Sequence, residues 1–138
     1  MVPLANERER ERFKRLLDVI EKLIEENREV PVIVEGMRDE RSLRSLGLEG
    51  EVLLLNTGEP ILDLCERLAR AYRRIILMTD WDRKGGVLAE KLRTNLSNSP
   101  LTVDPDFRRK LALSVQKGVN SVELLAGYVE SKRKEFKL

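Results

Sequence analysis

The stretch ILMTDWDRKGG, residues 76–86, decides how the rest of the chain is read. An apolar run ends in Asp80 and Asp82, one residue apart, and Arg83, Lys84 and two glycines follow. A short, continuous apolar run of this kind fits a buried strand, so RRIILMTD (73–80) is read as one. Two acids at its end repel one another and carry a desolvation cost unless something positive sits between them. In extended or turn backbone, residues i and i+2 project to the same side, so both carboxylates can reach one cation. The plainer alternative is a solvated turn in which Asp82 caps the helix that follows.

Working outward, VPVIVEG (30–36) is a second buried strand, closed by Glu35 and Gly36, and EVLLLNTG (51–58) is a third strand with its loop. Apolar residues recur at helical spacing over 7–28, where Phe13, Leu16, Leu17, Ile20, Leu23 and Ile24 share a face, with Asn6 and Glu9 as a capping start. Further helices are expected over 38–47, stopped by Gly47, over 60–72 and over 86–96. Leu101 to Val103 supply a short fourth strand, and the tail has helix starts at Asp104-Pro105 and at Asn120 or Ser121. Strands this continuously apolar, alternating with helices, predict an α/β fold: a Rossmann-like parallel sheet of about four strands covered by helices on both faces. At 138 residues the chain is expected to be one domain, 1–138, with a core over about 30–96, an N-terminal amphipathic helix over 7–28 and a helical tail over 104–138. Ligands in such sheets sit outside the carboxyl ends of the strands, so Glu35 and Asp80 are expected to point into one crevice.

Composition narrows the chemistry. There is no histidine, which removes Ser-His-Asp and Cys-His catalysis, His-containing zinc sites and imidazole proton shuttles. A lone Cys65 makes neither an intramolecular disulfide nor a zinc cluster and suits a reducing cytoplasm. No apolar run approaches a bilayer span, and MVPLANERERERF lacks the apolar core of a secretion signal, so no membrane partner is expected. The formal net charge is only +2, so any nucleic-acid binding must come from clustered charge. No phosphate-binding loop of the G-x-x-x-x-G-K-[ST] or G-x-G-x-x-G type is present.

Glu35, Gly36 and Asp39 form a second constellation. Gly36 permits a tight turn or the close approach of a ligand, and Asp39 is placed to cap a helix beginning near residue 40. Hard oxygen donors without nearby sulfur or imidazole favour Mg²⁺, with Mn²⁺ as the alternative, over zinc. Together, VIVEGMRDERSL and ILMTDWDRKGG resemble the two signature motifs of the Toprim domain shared by topoisomerases, primases and several nucleases; the resemblance covers roughly residues 30–96. Within that family the chain is most similar to small stand-alone proteins related to the endonuclease that matures 5S ribosomal RNA. The resemblance implies Glu35 as a catalytic acid/base or metal-associated carboxylate, Asp80 and Asp82 as Mg²⁺ ligands, and Gly36, Asp39 and Gly85 as structural residues of the site. It implies an Mg²⁺-dependent, endoribonuclease-like enzyme that processes structured RNA such as ribosomal RNA. The alternative is a non-catalytic subunit that binds metal and nucleic acid within a ribonucleoprotein or DNA-processing assembly.

Among the basic residues, Arg83 and Lys84 follow the acidic motif directly, and Arg38 heads a row with Arg41 and Arg44 on one helix face. These are the candidates for holding a phosphate backbone, of RNA in preference to DNA. Aromatics are 4% of the chain, so stacking platforms are scarce, and Trp81 is assigned to packing against a neighbouring loop before base stacking. Tyr72 and Tyr128 are read as structural. The N-terminal helix is free either to cover the sheet or to mediate a homodimer or another protein contact.

Overall fold

Four short runs pair in parallel to form one sheet: β1 (Val32–Val34), β2 (Val52–Leu54), β3 (Arg74–Leu77) and β4 (Thr102–Asp104), in the order β2-β1-β3-β4. They are joined and covered by α1 (Leu4–Asn27), α2 (Met37–Leu46), α3 (Ile61–Ala71), α4 (Arg83–Leu96), α5 (Asp106–Ser114) and α6 (Leu125–Phe136). The structure is a computed structural model that describes residues 4–138; the first three residues of the 1–138 unit lie outside the described residues.

Strand alternation sorts the core into two layers. Val32, Val34, Ile76 and Met78 face one side, with Phe13, Leu16, Ile20 and Leu23 of α1, Leu43 of α2, Leu111 of α5, and Leu125 and Val129 of α6. Ile33, Ile75 and Leu77 face the other, against Leu64, Cys65 and Leu68 of α3 and Ala89, Leu92 and Leu96 of α4. Both faces are therefore covered, as the apolar runs imply. The edges depart from that expectation: all three residues of β2 are only half-buried, because an edge strand has a neighbour on one side alone.

The chain steps from β1 outward to β2, then crosses back so that β3 lies on the other side of β1. The direction of winding thus reverses between β1 and β3, where the loops diverge and leave a crevice at the carboxyl ends of the strands. Glu35 and Asp80 lie just beyond those two ends.

Several helix boundaries differ from the sequence reading. α1 begins by Leu4, so Asn6 lies inside it. α2 begins at Met37, making Asp39 its third residue; the side chain reaches back to accept from the Gly36 N–H at 3.0 Å. Gly47 does end α2, in the left-handed region at φ 117°. α4 starts at Arg83 because Asp82 caps it. α6 starts at Leu125 and not near Asn120, because the backbone of 119–122 is engaged elsewhere.

Candidate functional site

At the end of β1 the ladder with β2 continues for two more bonds: Leu55 N–H donates to Val34 O and Asn56 N–H to Glu35 O, each at 2.9 Å. This fixes the Glu35 backbone and leaves its side chain to swing across the crevice. One carboxylate oxygen, Oε2, accepts from the Asp80 N–H at 2.8 Å. The two motifs, 45 residues apart, are thereby in direct contact. Gly36 then enters α2 in extended backbone at φ −154°, which any residue adopts, and a Cβ there would meet no atom within 4 Å. The fold itself does not require glycine at that position.

The second motif is built more tightly. Thr79 is fully buried and its hydroxyl donates to Gly85 O at 2.8 Å. Asp82 Oδ1 accepts from the Gly85 N–H at 2.7 Å, the side-chain cap of α4. These bonds draw the first turn of α4 onto the strand end so closely that a Cβ on Gly85 would lie 1.8 Å from Asp80 O. Gly85 is required by that approach and not by an unusual backbone angle.

The tail completes the turn. Arg108 of α5 donates from Nε to Thr79 O at 2.9 Å and from a terminal nitrogen to Asp80 O at 2.7 Å. The Trp81 N–H donates to Asn120 O at 3.1 Å and its indole N–H to Val119 O at 2.6 Å. The Val122 N–H donates to Asp80 Oδ1 at 2.7 Å. Trp81 also packs on the core layer beneath, so it serves the neighbouring loop as expected.

Like charge is concentrated here. Burial pushes the Asp80 carboxyl up to about 6, the negative charges of Glu35 and Asp82 add to the rise, and the Val122 N–H opposes it. Burial likewise raises Asp39, with Asp80 and Glu123 adding to it against the Gly36 N–H. Asp82 is exposed, at the α4 cap, whereas Glu35 and Asp80 are half-buried and line a cleft of about 890 Å³. Gly36, Met37, Arg38, Asp39, Leu54, Leu55, Asn56, Lys84, Leu88 and Glu123 complete that lining.

The donor set suits a hard cation. Each of Glu35, Asp80 and Asp82 gives one oxygen to a backbone N–H, and only the other is left over. Among the described residues no three acidic, cysteine or histidine side chains come together as a group able to hold a metal ion. Mg²⁺ is bound in just this open manner, by one or two carboxylates with water and phosphate oxygens filling the remaining octahedral positions. Asp80 would hold it from within the cleft and Asp82 from the exposed cap of α4, which leaves the free oxygen of Glu35 for acid/base chemistry.

Of the basic candidates, Lys84 lines the cleft and Arg38 lines it while pairing with Glu123 at 3.7 Å. Arg83 is exposed at the start of α4 and does not line it. Arg44 is spent on Glu40 and on the carbonyls of Leu48 and Gly50. Sequence reasoning missed three contributors. Asn56 follows an apolar run at a strand end just as Glu35 and Asp80 do, and that rule would have found it. Arg108 stood in a basic run with Arg109 and Lys110, and Glu123 beside an expected helix start, neither of which pointed to this site.

The family model described as the Toprim domain matches residues 30–112. A UPF0292 protein from Thermococcus gammatolerans is 42% identical over 117 residues, covering 85% of each chain. One from Methanocaldococcus jannaschii is 35% identical over 123 residues, covering 88% of this chain and 95% of that one. A solved structure of a protein from Aquifex aeolicus is similar with a TM-score of 0.65 at 26% identity, covering 77% of this chain and 94% of that one. Among the described residues no helix is long and apolar enough to cross a membrane.

Proposed function

This chain belongs to the Toprim domain family, and from that premise we propose that it is an Mg²⁺-dependent endonuclease acting on structured RNA, of which ribosomal RNA is one example. Membership itself carries metal-dependent processing of nucleic acid. The observation that carries the finer reading is the contact between Glu35 and Asp80 at the reversal of the sheet, in a cleft that also holds Arg38 and Lys84. A bound Mg²⁺ supplies charge neutralisation for the scissile phosphate and relief of the repulsion between the acids. Glu35 Oε1, the oxygen not engaged by Asp80, is the atom offered to take or return a proton at the reacting oxygen. Arg38 and Lys84 hold flanking phosphates, which positions the strand without reading its sequence. Asn56, exposed at the cleft mouth, is the polar group offered to whatever lies against Leu54 and Leu55.

The test is cleavage of a mixed structured-RNA pool by wild type, Glu35→Gln and Asp80→Asn in Mg²⁺. Wild type should cut and both variants should lose at least about a hundredfold in rate. No cleavage by wild type, or equal cleavage by all three, removes the enzyme reading. A second reading has its own support: all three acids are already engaged by backbone N–H groups, which suits a subunit that docks phosphate through metal without turnover. It predicts RNA affinity that falls steeply with salt and no cleavage at any concentration.

A further inference from the structure

β4 ends opposite Ile76, so the backbone of β3 from Thr79 onward has no partner from that strand. Two carbonyls, those of Thr79 and Asp80, leave the ladder at the place where the acids must be aimed. Both are taken by the single guanidinium of Arg108, at 2.9 and 2.7 Å. We propose that Arg108 is the positioning residue of the acidic site: its planar fork replaces the missing strand and fixes the direction in which the Asp80-Trp81-Asp82 turn presents its carboxylates. This rests on the reading of those acids as the metal site.

Three observations support the assignment. A fork with several donors in fixed geometry spans two neighbouring carbonyls, which a lysine ammonium, as a point charge, does not reproduce. α5 is itself held in place, with the Asp106 N–H on Asp104 Oδ1 at 2.9 Å and Leu111 in the core beside α1, so Arg108 projects from a fixed base. Arg108 is itself half-buried against the turn, so its guanidinium is withdrawn from solvent where it meets the two carbonyls. The adjacent Arg109 and Lys110 are exposed and do neither job.

Positioning and charge predict opposite signs. Removing a cation from beside a cation site strengthens attraction for metal, whereas releasing the turn weakens binding by misaiming the ligands. The experiment compares wild type with Arg108→Gln and Arg108→Lys, all below their melting temperatures. In metal-free protein, amide hydrogen exchange at Asp80, Trp81 and Val122 should quicken at least tenfold in Arg108→Gln, with Ile76 unchanged, and Arg108→Lys should restore less than half of that on a logarithmic scale. Mn²⁺ titration should show binding weakened about tenfold in Arg108→Gln. Unchanged exchange, uniform acceleration across the sheet, full rescue by lysine, or unchanged or tighter Mn²⁺ binding in the glutamine variant each overturns the proposal. If wild type itself binds no Mn²⁺, the functional reading falls, and the exchange data alone decide whether Arg108 holds the turn.

Discussion

The chain leaves β1 through Glu35-Gly36 and leaves β3 through Asp80-Trp81-Asp82, and the two exits are held in different ways. After β1 the turn touches little: Gly36 has open space where a Cβ would go, and Arg38 at the start of α2 is exposed. After β3, five hydrogen bonds arrive from Arg108, Val119, Asn120 and Val122, and α4 presses against Asp80 O. One exit is a fixed reference and the other is an open approach. A site that must hold geometry and still admit a bulky polymer divides those tasks between its two walls.

The sharpest way to break this contrast is Gly85→Ala. Alanine gains about 1 kcal/mol of helix propensity, but its Cβ would sit 1.8 Å from Asp80 O, and overpacking against backbone costs about 3 kcal/mol or more. The expected result in a denaturant melt is a clear net loss of stability; a melt like wild type would show that α4 does not approach the turn so closely. Next is Trp81→Phe, which keeps most of the packing but strands Val119 O. It should cost about 1 kcal/mol in the same melt and leave the sheet intact.

Asp80→Asn should act in the opposite direction. The carboxyl is pushed up to about 6 when folded, from an ordinary value of 3.8. The folded state therefore binds the proton more tightly than the unfolded state, and ionisation at neutral pH works against folding. Asparagine keeps an acceptor for the Val122 N–H and removes the charge. Without metal its melting temperature should rise by a few degrees, and the increase expected of wild type in Mg²⁺ should be absent from the variant. A drop in the metal-free melting temperature would mean that the acids are not in mutual conflict. The smallest effect belongs to Gly36→Ala, whose stability should lie within about 0.5 kcal/mol of wild type while nucleic-acid affinity falls; loss of stability there would remove the contrast between the exits.

The layers of this fold were legible because alternation writes them directly. Val32-Ile33-Val34 and Ile75-Ile76-Leu77-Met78 send successive side chains to opposite cores, and a run apolar at every position admits no other arrangement in a sheet. That Glu35 and Asp80 open into one crevice was legible too, since both follow strands of one parallel sheet, whose carboxyl ends share an edge. The clamp was not. Val119, Asn120 and Val122 act through backbone atoms, which every residue has, so nothing in their side chains announces the contact. Asn120 and Ser121 look like helix caps, yet tertiary bonding of that backbone delays α6 to Leu125. Arg108 was one member of a basic run, and only the docking of α5 separates it from Arg109 and Lys110. The half-burial of β2 follows from strand order, which periodicity does not encode.

The distance along the chain between the acidic turn and its clamp has a consequence for synthesis. Val119 and Val122 lie 38 and 42 residues beyond the groups they bind. At translation rates of roughly 5–20 residues per second, the acids leave the ribosome some seconds before the segment that holds them. The nascent chain therefore passes through an interval in which the β3 exit has its bonds to Glu35 and Gly85 available but lacks the clamp from the tail. The acidic turn acquires its final aim only when residues 108–122 arrive, which ties completion of the site to the docking of α5 and the segment after it.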